Sequence, residues 1–183
     1  MTDRKENQTG SPASRYQKGR YCLDRGRLGE AERLFREGAA LGEVKCLYGI
    51  AASLLAADRD AEEAVAVLRE AIPKIERLAE EGDGEACFLL GRCRETGCGL
   101  PPDRGEAIAW YRRAADLGSG DALFNLGCLM AEDPAFLDKA VQTFFLPAAE
   151  AGSYSAQMAV GYYYEQRHDE ARARKWYEAA AAD

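Results

Sequence analysis

The chain has 183 residues, of which 47% are hydrophobic and 30% charged, and its net charge is −7. That balance suits one compact domain or a short repeat array and excludes a disordered chain. The acidic surplus argues against nucleic-acid or anionic-membrane partners, which draw on clustered Lys and Arg.

Residues 1–13 are polar, carry Gly10 and Pro12 and show no periodicity, which predicts a flexible N-terminal tail. No apolar run there suits a signal peptide, and no stretch approaches the roughly 18 apolar residues of a membrane span. A cytoplasmic location with reduced thiols is expected. Beyond residue 13 the chain reads as helix almost throughout, rich in Ala, Leu, Glu and Arg and without β-branched alternation.

Five copies of one unit follow, at about 14–42, 43–82, 83–118, 119–152 and 153–183. The third is the fullest, with Ala107-Ile108-Ala109-Trp110-Tyr111-Arg112-Arg113-Ala114-Ala115 closing on Gly118. Glu30-Ala31 to Gly42, Glu70-Ala71 to Gly82, Phe144-Phe145 to Gly152 and Trp176-Tyr177 to Ala181 repeat it in part. A second ladder of glycines, Gly19, Gly49, Gly91, Gly127 and Gly161, keeps step with the first. A glycine inside a helix costs about 1 kcal/mol relative to alanine, so five at one register position imply close helix approach. Each unit therefore reads as a helix A, a turn and a helix B. In the third unit Thr96-Gly97-Cys98-Gly99-Leu100-Pro101-Pro102-Asp103 is the turn, with glycines to stop helix A and Asp103 to cap helix B. On helix B, Ala107, Trp110, Tyr111, Ala114 and Ala115 fall on one face and are expected to form core. Pro73 and Pro147 interrupt the helix B patterns of the second and fourth units, and extra residues surround Asp58 to Val67.

The six cysteines, Cys22, Cys46, Cys87, Cys93, Cys98 and Cys128, form no CxxC pair, and His168 is the only histidine. They read as small buried hydrophobes rather than as metal ligands or a redox centre. Cys98, between two glycines, is the one candidate for an exposed thiol, although a helix-ending turn already explains those glycines.

The segments Glu85 to Gly91, Gly97 to Asp103 and Ala107 to Gly118 closely resemble a Sel1-like repeat, a relative of the tetratricopeptide repeat. The flanking copies are more degenerate, and the resemblance spans residues 14–183. It implies an all-α fold, a right-handed α-α superhelix (solenoid) of about five helix-turn-helix repeats. Its A helices would line a concave groove that binds a peptide or protein. Secreted relatives carry disulfides between the two helices of a repeat; here Cys87 has Ala114 and Ala115 where its partner would stand.

Carried over by register, the peptide-binding groove takes Tyr16, Arg20, Phe88, Arg92, Glu95, Phe124, Met158, Tyr162 and Glu165. Of Tyr162-Tyr163-Tyr164, only Tyr162 is expected in the groove, since successive helical residues point about 100° apart. Tyr164 is expected in the core and Tyr163 against helix B or at the end of the array. No HExxH, GxSxG, phosphate-binding loop or dinucleotide fingerprint occurs, so no catalytic residue, cofactor or metal is expected. The reading is a non-enzymatic protein-protein interaction module, a scaffold or adaptor. The alternative, a small-molecule-binding or hydrolytic protein, rests on relatives linked to β-lactam binding. Trp176 and Tyr177 in an uncapped last unit point to a homodimer through the C-terminal repeat.

Overall fold

The computed structural model describes residues 14–182; the expected tail at 1–13 lies outside them. The described chain is helical with no strand, as the repeat pattern predicts. It divides into two compact units, with the division between Val67 and Leu68.

The first unit holds α1 (Arg15–Asp24), α2 (Leu28–Ala40), α3 (Lys45–Ala56) and the start of α4 (Ala61–Glu80). Ser14 opens α1 with a reciprocal cap: its hydroxyl accepts from the Gln17 amide, and the Gln17 side chain accepts from the Ser14 amide, both at 3.2 Å. Glu43, between α2 and α3, adds a cap from a distance, accepting the amides of Arg15 at 3.2 Å and Tyr16 at 3.1 Å. Phe35 of α2 is fully buried, and its ring lies where Cβ atoms on Gly19 of α1 and Gly49 of α3 would stand. Cys22, Ala31, Cys46, Ala51 and Leu54 complete this core.

The second unit continues α4 from Leu68 and adds α5 (Gly84–Thr96), α6 (Arg104–Asp116) and α7 (Gly120–Ala131). A helical rod over 137–150 follows, then α10 (Tyr154–Glu165) and α11 (Glu170–Ala181). The rod comprises α8 (Leu137–Ala140), a π-helical turn (Val141–Phe145) and α9 (Leu146–Glu150). The π turn has a covalent cause. Pro147 carries no amide hydrogen for the carbonyl four residues back. The ladder widens there, with the Leu146 amide donating to the Val141 carbonyl. Pro73, by contrast, sits inside α4 without ending it.

Repeat boundaries follow the expected chemistry. Gly42, Gly82, Gly118 and Gly152 adopt φ of 85–91°, which glycine tolerates without strain. Asp83, Ser119, Ser153 and Asp169 accept amide hydrogens at the starts of α5, α7, α10 and α11. In the third repeat Gly97 (φ 76°) ends α5, and Asp103 accepts the Glu106 amide at 2.9 Å. Gly99 has a second duty: a Cβ there would lie 2.6 Å from Ile72 Cδ1, so the turn presses onto α4.

On α6 the core face is narrower than expected. Ala107, Tyr111 and Ala114 are buried, whereas Trp110 and Ala115 are half-buried, with the Arg113 guanidinium 5.6 Å from the Trp110 ring centre. At the end of the unit Trp176 is 9% exposed and packs with Val141, Phe145, Val160 and Tyr164. Trp176, one of the two aromatics behind the expected C-terminal homodimer, is therefore not an exposed anchor: α11 turns its indole into the core. What lies open there is a cleft of about 600 Å³, lined in part by the charged side chains of Glu165, Glu170, Arg174 and Glu178.

Candidate functional site

The glycine ladder is a set of notches that hold aromatic rings from helix B. A Cβ on Gly91 would lie 2.5 Å from Cδ1 and Cε1 of Tyr111, and one on Gly161 would lie 2.5 Å from Cε1 of Tyr177. Gly127 offers the same notch to Phe145. The sequence reading required close helix approach at these positions; the ring is what makes it necessary.

Two notches carry a further device. The Tyr111 hydroxyl donates to Glu95 Oε2 at 2.7 Å, and the Tyr177 hydroxyl donates to Glu165 Oε2 at 2.7 Å. Glu95 and Glu165 each stand four residues beyond the notch glycine. Where the ring is Phe35, which fills two notches, or Phe145, that position holds Leu23, Ser53 or Ala131 instead. Tyrosine comes with glutamate and phenylalanine with no carboxylate, as a hydroxyl needing an acceptor dictates. Burial, with the Glu95 carboxylate, pushes the Tyr111 phenol far up, and the hydrogen bond to Glu165 pushes Tyr177 up to about 12. This pairing was present in the sequence, and the register comparison had placed both glutamates in the groove on position alone.

The other expected groove residues separate by depth. Tyr16 (6% exposed) and Phe88 (7%) are core, their rings 6.0 Å from those of Phe35 and Tyr111. For these two the groove expectation is corrected: each packs on the ring held in its own repeat's notch, leaving no surface for a ligand. Phe124 is half-buried, 5.2 Å from the Phe145 ring. Arg20 is half-buried and 4.0 Å from Asp24. In the second unit Arg92 lies 3.8 Å from Glu95, joining it to the tyrosine pair. Met158 (40% exposed) and Tyr162 (59%) lie one turn apart on α10, which packs beside α7. Tyr164 is buried as expected, with the Arg172 guanidinium 4.5 Å from its ring centre. Tyr163 turns to the preceding repeat, its hydroxyl donating to Asp138 at 3.0 Å beneath the Arg167 guanidinium.

All six cysteines are free thiols. Burial pushes Cys46 and Cys93 up to about 12 and raises Cys22 and Cys87 as well. Cys128 is exposed on α7, and desolvation together with the Glu95 carboxylate also raises its thiol. These shifts disfavour the thiolate that nucleophilic chemistry needs. Cys98 is half-buried in the turn after α5. Among the described residues no group of three or more His, Cys, Asp or Glu side chains is placed to hold a metal ion, and no helix is long and apolar enough to cross a membrane.

Helix pairs capped by Asp or Ser, ended by glycine and locked ring-in-notch define a helix-turn-helix repeat protein. Two of its repeats are of the Sel1 kind: residues 84–119 and 155–183 match the family model for the Sel1 repeat. Those two segments hold both tyrosine–glutamate pairs. The fold resembles the crystal structure of a Sel1 repeat protein from Oxalobacter formigenes, with TM-score 0.51 and 25% identity, covering 97% of this chain and 75% of that one. Another similar structure is c5321, a protective antigen of uropathogenic Escherichia coli with an SLR fold, at TM-score 0.49 and 22% identity over 92% of this chain and 37% of that one. Among curated proteins, chitin synthase regulator SKT5 of Malassezia restricta is 42% identical over 53 residues. That match takes in 29% of this chain but only 4% of the regulator's length.

Proposed function

We propose that this chain is a non-enzymatic interaction module that grips a peptide or protein segment on the A-helix face of its second unit. The supporting observation is the pair Met158 and Tyr162, large side chains left open to solvent one turn apart on a helix whose remaining apolar residues are buried or half-buried. Exposed aromatic and Met side chains beside arginine suit an anchor for a partner. Arg92, Glu95 and Cys128 extend this surface on α5 and α7, and Glu165 extends it on α10. The notch tyrosines hold both glutamates in place, so the charged rim is pre-organised. Free thiols on a chain this acidic fit a reducing cytoplasmic setting and a protein rather than a nucleic-acid partner.

The test places a photo-crosslinking amino acid at position 162, and in parallel at Glu150 as a control. A protein captured in native cells from position 162 alone, and lost in an Arg92→Ala variant whose thermal melt matches wild type, is the expected result. Equal capture from both positions, or capture indifferent to Arg92, overturns this surface as the site.

A further inference from the structure

On the other side of α7, away from Phe124 and Cys128, lies a cavity of about 240 Å³. Its walls are Ile108 of α6, Leu126, Leu129 and Met130 of α7, and Phe144 of the π turn, with Arg104 and Arg112 at its edge. At about 100° per residue, Leu126, Leu129 and Met130 point roughly opposite to Phe124 and Cys128 on α7, so this is a separate surface from the A-helix face. The π turn that Pro147 forces is the stretch of the 137–150 rod that carries Phe144, and such turns recur at functional sites.

The charges around this cavity are unequal in what they have left to give. Arg104 is neutralised by Glu132 at 2.7 Å. Arg112 is exposed and makes no ion pair with any described residue, on a chain whose acidic groups outnumber its basic ones. Arg104, Ile108 and Arg112 follow one another at four-residue intervals on α6, so Arg112 stands about 6 Å along the helix from the apolar wall at Ile108. In an extended peptide, side chains two residues apart share a face at about 6.6 Å. An apolar side chain lowered into the cavity therefore brings a carboxylate two positions away to Arg112, where a charge-assisted pair can form.

We infer that this cavity is a second docking site, which takes an extended acidic peptide segment of the form apolar–any–Asp or Glu, with the apolar side chain in the cavity and the carboxylate on Arg112. A buried aromatic or aliphatic anchor beside one charged contact is the usual energetic centre of such an interface. The site is independent of the surface around Tyr162.

The experiment uses the full chain labelled at its Ile and Met methyl groups and the blocked peptide acetyl-Gly-Ser-Gly-Phe-Ser-Glu-Gly-amide, titrated by NMR. The expected result is saturable shifts at Ile108 and Met130 with the Met158 methyl unmoved. Affinity should fall about tenfold with Arg112→Glu or with Glu replaced by Gln in the peptide, the size of one charge-assisted hydrogen bond, and should vanish when the peptide Phe becomes Ala. Tyr162→Ala should change nothing. The inference is overturned by an absence of shifts at millimolar peptide, by equal binding of a peptide with Lys in place of Glu, or by shifts at Met158 instead. It is also overturned if decanoate moves the same methyls while the peptide does not, since the site would then be one for a small amphipathic acid. Failure here leaves the crosslinking result at position 162 untouched, and the reverse holds as well.

Discussion

Replacing Gly91 with alanine sets two effects of known sign against each other. In an exposed helix the change stabilises by about 1 kcal/mol, because alanine loses less backbone entropy. At Gly91 the new methyl would stand 2.5 Å from two carbons of Tyr111, about 1 Å inside ordinary contact. Tyr111 is fully buried and anchored by its hydroxyl to Glu95, so the ring has no free direction in which to retreat. Overpacking of this kind costs about 1–3 kcal/mol and at times more. Because that outcome already contains the helical gain, a net loss of about 1–3 kcal/mol is expected for Gly91→Ala. For a domain of this size it should lower Tm by about 2–12 °C. Gly29 supplies the control: it lies in α2 with nothing within 4 Å of a Cβ, so Gly29→Ala should be neutral or slightly stabilising. Urea and thermal unfolding followed by circular dichroism measure both. A Gly91→Ala protein as stable as wild type would refute the notch.

Two further outcomes follow from charged contacts. Tyr177 should titrate near about 12 in an ultraviolet difference titration, and Glu165→Gln should return it towards the ordinary phenol value of about 10. Its folded value is raised, so the Tyr177–Glu165 contribution to stability is complete below the unfolded phenol pKa and disappears as pH rises through the folded one. A transition unmoved by Glu165→Gln would contradict the pairing. Glu43 has the opposite sign. Burial alone would raise its carboxyl, but the amides of Tyr16 and Arg15 outweigh this and hold it below its usual range. Its contribution is therefore present above the unfolded carboxylate pKa and is lost as pH falls through the depressed folded value. Glu43→Ala should cost about 1 kcal/mol near neutrality, the worth of a helix cap. The gap from wild type should close in acid, and a gap that persists at low pH would show that Glu43 acts by packing instead.

Much of the candidate surface was legible in the residue order, and what was missed has identifiable causes. Register put Met158 and Tyr162 on a side of α10 that the fold leaves exposed, because a glycine notch marks the side of each A helix that meets helix B, and residues about 100° away escape that contact. The same rule misplaced Tyr16 and Phe88. Three residues before the notch, an aromatic ring is long enough to fold back onto the ring in the notch, and it gains more by doing so than by facing water. Phe124 follows them halfway, whereas Met158, unbranched and without a ring to stack, stays out. The roles of Glu95 and Glu165 were readable in principle, because within this one chain glutamate appears four residues after the notch only where helix B brings tyrosine. The cavity beside Arg112 was not readable, because it depends on how one proline opens a helical turn in the next repeat.

Local chemistry was enough to settle the helices, their caps, the glycine stops and the repeat register, since each depends on residues within one or two turns of one another. Depth is another matter. A period of 3.6 gives the direction in which a side chain leaves its helix, but not how far away the next helix stands or what fills the space between. Tyr111 between Gly91 and Glu95, Trp176 turned inward, and Arg112 left facing water beside an open cavity are decisions of packing, made among segments that only the folded chain brings together.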